Sequence, residues 1–199
     1  QGRSKPSTTG AFCIGEPPCY TISMCGIAGI FNTDRQPPNR DVLALMSGSI
    51  AHRGPDGESF YFDDAGGLGF AHRHLRIIDL SDAGLQPMCN EDRTLWLIFN
   101  GEIYNYIELR PELEAKGHRF ASLSDSETIL HAYEEWGPDC LAHFNGMFAF
   151  ALWDSRKQTL FIARDRVGVK PLYYRWHDRA LVFASEIKAI LEHPRVRRD

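Results

Sequence analysis

No stretch of this 199-residue chain is apolar for the roughly 20 residues that a membrane-spanning helix requires. A basic surplus is missing too: 22 Lys and Arg stand against 26 Asp and Glu, for a net charge of −4, so the electrostatic footprint of a nucleic-acid binder is absent. There is no Walker-type glycine loop, no internal repeat and no low-complexity tract. Cysteine is scarce. The five (Cys13, Cys19, Cys25, Cys89 and Cys140) are odd in number and follow no apolar secretion signal. That excludes a disulfide framework and points to a reducing cytoplasm. The first three cysteines recur every six residues, wider than the two- to four-residue gaps of zinc sites, so no metal is expected. What is present, 43% apolar and 12% aromatic residues, suffices for one buried core.

The opening 23 residues are rich in Pro, Gly, Ser and Thr and show no sustained periodicity. They read as a disordered leader, a propeptide or an upstream mis-start, with the organised domain over residues 24–192. Residues 193–199, ending "RVRRD", read as the start of a linker to something further.

Within the domain, "GIAGIFN" reads as a buried strand directly after Cys25. Asn39 is placed to cap a helix over Asp41–Ile50 whose apolar side carries Val42, Leu43, Leu45, Met46 and Ile50. "TLWLIFNGEIYNY" reads as a strand, a sharp turn at Asn100-Gly101, and a helix near Ile103–Lys116. Ser124 and Glu127 form a capping box for the next helix, which Gly137-Pro138 ends. "GMFAFALWD", "SRKQ" and "TLFIARDR" spell a hairpin; "KPLYYRW" and "ALVFAS" spell another, and Ser185 is placed to cap a final helix. The hairpin strands are almost continuously apolar, so both faces are covered. The fold class is therefore α+β, a four-layer αββα sandwich of two antiparallel sheets.

Four groups of residues carry chemistry. If Met24 were the true start and were removed, the Cys25 α-amine, with a pKa of about 8, would sit beside its own thiol as general base. The alternative is a small buried hydrophobe, the usual role of a free cysteine. Asn100 and Gly101 offer an amide and a backbone N–H to a developing oxyanion; the alternative is a plain Asn-Gly turn. Asp125 and Glu102 could hold a substrate ammonium, or serve as helix-end charge and solvated surface. Arg53, Arg73, His74 and Arg76 could hold a carboxylate. Strand alternation puts Arg73 on one face and His72 and His74 on the other. A thiol, oxyanion donors, an ammonium partner and a carboxylate partner together suit an amino acid with a side-chain amide, such as L-glutamine.

"MCGIAGIF", "HRGPDG", "RIIDLS", "QPM", "FNGEIYNY", "LSDSETIL", "GMFAFALWD", "ARDRVGVKPLYY" and "FASEIKAIL" follow in order from Met24 to about Leu191. In these the chain resembles the glutaminase domain of glutamine-hydrolysing asparagine synthetases, class II amidotransferases of the N-terminal nucleophile hydrolase superfamily. The resemblance implies the same four-layer fold. It implies Cys25 as mature N-terminal nucleophile, Asn100 and Gly101 as oxyanion hole, Asp125 on the glutamine amine, Glu102 as a neighbouring contact and Arg53 organising the site. It implies hydrolysis of glutamine to glutamate and ammonia through a thioester with no cofactor in this chain. ATP and Mg would belong to a C-terminal synthetase domain that turns aspartate into asparagine, and a homodimer is a possible assembly.

Two departures stand out. The family's arginine for the glutamine carboxylate, in H-R-R-L-S or H-E-R-L-S, falls on His74 of "HRHLR". The Ser-Gly-Gly-x-Asp-Ser loop of the synthetase domain does not occur. Two rival readings stay open: an N-terminal-cysteine amidohydrolase for another carboxamide, and a non-catalytic remnant with Cys25 blocked.

Overall fold

The structure is a computed structural model and describes residues 24–75 and 84–197. The leader with Cys13 and Cys19, the candidate Arg76 and the last two linker residues lie outside the described residues.

Two antiparallel sheets form the centre. The five-stranded sheet has the order β2-β3-β1-β9-β8, built from Gly57–Asp63 (β2), Leu68–His74 (β3), Gly26–Asn32 (β1), Ala180–Ala184 (β9) and Tyr173–His177 (β8). The four-stranded sheet has the order β4-β5-β6-β7, from Met88–Cys89 (β4), Leu95–Ile103 (β5), Gly146–Asp154 (β6) and Thr159–Arg164 (β7). Helices α1 (Arg40–Ser49) and α4 (Ile187–Ile190) cover the first sheet; α2 (Tyr106–Ala115) and α3 (Asp125–Trp136) cover the second.

Three apolar clusters hold these layers. Ile27, Leu68, Phe70 and Phe183 of one sheet meet Ile98, Ala149, Ala151 and Trp153 of the other. Ala28, Ile30 and Ala71 face α1. Phe148, Phe150 and Leu152 face α3. Successive residues of β1 and β6 thus enter different clusters, which is why their sequences are apolar throughout instead of alternating. The expected αββα sandwich is what forms.

Local expectations hold in part. Asn39 caps α1, its side chain accepting from the Val42 N–H at 3.1 Å. Leu45, expected on the apolar side, is 58% exposed because α1 buries a narrower stripe. Asn100-Gly101 makes no turn: β5 runs straight through it to Ile103, paired along its length with β6. A Cβ at Gly101 would lie 2.3 Å from the Met147 carbonyl oxygen, so the glycine serves close strand approach. Ser124 caps α3 by accepting from the Ser126 N–H, but the capping box is not reciprocal. Glu127 accepts instead from the N–H groups of Ala121 and Ser122, further upstream. Ser185 does not cap α4, whose N-cap is Glu186; its hydroxyl accepts from the Ile27 N–H and ties β1 to β9.

Candidate active site

Cys25 lies just before β1, at the open end of the sandwich. Its thiol sits between the backbone groups of Leu75, 3.4 Å from the N–H and 3.6 Å from the carbonyl oxygen. Burial pushes the thiol pKa up, partly offset by the Leu75 backbone and the Arg53 charge. Extending the β1 alternation puts Cys25 on the side of Ile27, and Asn100 on the side of Ile98, both residues of the inter-sheet core. Asn100 is 1% exposed, and among the described residues neither its amide nitrogen nor its amide oxygen has a hydrogen-bond partner. Two such amide atoms cost several kcal/mol of lost hydration. A polar group docked against them recovers that cost.

A cavity of about 100 Å³ opens here, walled by Cys25, His74, Gln86, Gly101, Glu102 and Asp125 among others. Asp125 begins α3, is 3% exposed and accepts from the Ile103 N–H at 2.8 Å. Burial first, and the negative charge of Glu102, push its pKa up to about 6 against the backbone N–H groups that favour its charge. An ionised carboxylate held at such a cost suits an ammonium partner.

Arg53 does not wall the cavity. Its Nε donates to the Cys25 carbonyl oxygen at 3.1 Å and its Nη1 to Glu186 at 3.2 Å, while Nη2 is buried without a partner. It fixes the Cys25 backbone, through the "HRGPDG" segment. That segment reaches β3 because Gly54 has no Cβ, which would lie 2.4 Å from the Arg73 carbonyl. Arg73 itself turns away, to Ser47 on α1 and to Glu58 at 2.8 Å.

His74 occupies the cavity wall within a chain of contacts. His72 Nε2 lies 3.0 Å from the Phe99 carbonyl oxygen and its Nδ1 lies 3.0 Å from His74 Nδ1. His74 Nε2 lies 2.6 Å from the Ser59 hydroxyl, which donates to the Gln86 carbonyl oxygen. Carbonyls only accept, so the chain is closed by acceptors at both ends. Filling its four contacts takes four protons, and two neutral imidazoles with one hydroxyl supply three. A fully bonded chain therefore holds one extra proton. Burial, then the neighbouring His74, push the His72 pKa down to about 3, so the extra proton of a fully bonded chain does not sit on His72.

Several residues escaped the sequence reading. Gln86 accepts from the Phe99 N–H at 2.6 Å and donates to Ser126 at 3.3 Å, joining β5 to α3; "QPM" marked the place without the role. Ser59 had no signal. Lys170 of "KPLYY" is 6% exposed, with Nζ 2.8 Å from Met24 Sδ; burial, then Arg53, push its pKa down. Asp165 accepts from the Lys170 and Val169 N–H groups and fixes this lysine's loop.

Two antiparallel sheets layered between helices, with a cysteine leading the first strand into an inter-sheet cavity, make an αββα sandwich of the amidotransferase kind. The chain belongs to the glutamine amidotransferase domain family, whose profile matches residues 24–199. It is 44% identical over 171 residues to asparagine synthetase [glutamine-hydrolyzing] 1 of Bacillus subtilis, covering 84% of this chain and 27% of that protein. Against asparagine synthetase [glutamine-hydrolyzing] 3 of the same organism it is 42% identical over 177 residues, covering 87% and 28%. The chain thus spans little more than a quarter of these relatives. Glutamine phosphoribosylpyrophosphate amidotransferase from B. subtilis shares the fold, with a TM-score of 0.67 at 22% identity over 83% of this chain and 43% of that one.

Proposed function

We propose that this domain, of residues 24–192, hydrolyses the side-chain amide of L-glutamine through Cys25. The observation that carries the reading is Asn100, a buried amide with both polar atoms unpartnered, one residue before the cavity-lining Gly101. In the reaction the α-amine freed by loss of Met24 takes the thiol proton, and the thiolate attacks the amide carbon. The Asn100 side chain and the Gly101 N–H receive the oxyanion. The C–N bond breaks as the α-ammonium returns that proton to the leaving nitrogen, ammonia departs, and water cleaves the resulting thioester to glutamate and the free thiol. Asp125, seconded by Glu102, binds the substrate ammonium. His74, carrying the extra proton, supplies the positive charge for the α-carboxylate, and Arg53 holds Cys25 in line.

Longer relatives named as asparagine synthetases support a further step, in which the ammonia passes to a synthetase portion that activates aspartate with ATP and Mg²⁺. Assembly as a homodimer is part of the same proposal.

The test is glutamate and ammonia release by protein whose N-terminus is shown by intact mass to be Cys25. That form is active, Cys25→Ala is dead, and Asn100→Ala loses about 10²–10³ in kcat. Turnover by a form retaining residues 1–24 sinks the α-amine mechanism. Activity on other carboxamides but not on glutamine favours the rival substrate, and inactivity of the freed form favours the non-catalytic reading.

A further inference from the structure

Away from this cavity, two histidines and a glutamate converge. His131 and Glu134 lie one turn apart on α3, and His118 lies on the segment joining α2 to α3. His131 Nδ1 is 2.8 Å and His118 Nδ1 3.3 Å from the same oxygen, Glu134 Oε2. The candidate ligand atoms of the three side chains all lie within 4.8 Å of one another. The outer nitrogens also face carboxylates: His118 Nε2 is 3.4 Å from Glu135, and His131 Nε2 is 3.7 Å from Glu127, buried and without a hydrogen bond. The other oxygen of Glu134 accepts from Asn90 at 2.7 Å. A cavity of about 430 Å³ adjoins His118 and Glu134.

We propose that His118 Nδ1, His131 Nδ1 and Glu134 Oε2 form a site for a divalent cation of borderline softness, Zn²⁺ or Ni²⁺, that pins the segment before Asp125 to α3. Two nitrogens and one carboxylate oxygen are a donor set for such ions, not for Mg²⁺ or Ca²⁺. The 3.3 Å spacing is that of ligands sharing an ion at about 2.0–2.2 Å, and the 2.8 Å hydrogen bond opens by about half an ångström to admit it. A carboxylate behind each histidine is the arrangement that orients metal-bound imidazoles. The cavity has room for water to complete the coordination.

The other charges at the cluster are Glu135 and its partner Lys116, 2.9 Å away.

The test is calorimetric titration of Zn²⁺ into the full chain with Cys13, Cys19, Cys25 and Cys89 replaced by Ser, which removes competing thiols. One ion binds per chain at pH 8 with a Kd of about 1 μM or tighter. His118→Ala and the isosteric Glu134→Gln each weaken it about 10- to 100-fold. Absence of saturable binding to 1 mM, or equal affinity in parent and Glu134→Gln, overturns the proposal. Circular dichroism confirms the fold of each variant; should His118→Ala unfold, Glu134→Gln decides.

Discussion

In the proposed site His74 stands where the resemblance expects an arginine, so its positive charge would depend on a proton. A guanidinium is always charged, whereas an imidazolium between His72 and Ser59 persists only while the chain keeps its fourth hydrogen. The Michaelis constant for glutamine in the freed enzyme should therefore rise as pH increases and His74 loses its proton. With a carboxamide lacking the α-carboxylate it should stay flat. His74→Arg should lower the constant and remove its pH dependence. Steady-state kinetics across pH 6 to 9 measure this, and a flat parent profile for glutamine would show that His74 bears no part of the carboxylate. That Cys25, Asp125 and His74 belong together as candidates was legible in the sequence, and the three line one cavity. The bonding of His72, Ser59 and Gln86 was not, because it links strands 13 to 27 residues apart through contacts that no local pattern encodes.

At the scale of elements, local signals fixed what local physics decides. "SRKQ" marks the β6–β7 connection, and continuous apolar strands announce two covered faces. Asn-Gly misled because its turn propensity is weak beside a full ladder of strand pairing, in which Asn100 faces Ala149 and Gly101 faces Phe148. Ser185 misled likewise: its hydroxyl answers a strand 158 residues away, not its own helix. The straight passage of β5 makes Gly101→Ala informative. The added methyl meets Met147 and Phe148 backbone atoms at 2.3 and 2.7 Å, atoms that cannot rotate aside. The variant should lose about 1–3 kcal/mol in urea unfolding as β5 and β6 part, and kcat should fall as the Gly101 N–H moves. Unchanged stability together with unchanged kcat would contradict this account of the strand.

Across the whole molecule, buried ionisable groups set a pH window of stability. His131 has a folded pKa of about 9, above the unfolded value near 6.5, so its contribution is complete below that lower value and is lost as pH rises through 9. Despite its burial, Glu127 is held at about 2 by the facing His131 and by hydrogen bonds from Ala121 and Ser122; it contributes above about 4.5 and loses this as pH falls. His72, pushed down to about 3, loses stability across the interval from about 6.5 to 3 as it is forced to charge. In chelator, the denaturant midpoint should fall from pH 7 to 9.5, and His131→Gln should flatten that limb. A parent midpoint constant over this range would contradict the assignment. Among the described residues no helix is long and apolar enough to cross a membrane.

Cys25 leads a strand of one sheet, while Asn100 and Gly101, the proposed oxyanion donors, belong to the other. Their separation is set by the layer of Phe70, Phe183 and Trp153 that keeps the sheets apart. Phe183 even lies over Gly29, where a Cβ would come within 2.2 Å of its ring. The sandwich works as a pair of calipers: aromatic rings far from any reacting atom fix the gap at its tips. A change of one ring in that layer alters the alignment of thiol and amide before it alters anything a substrate touches.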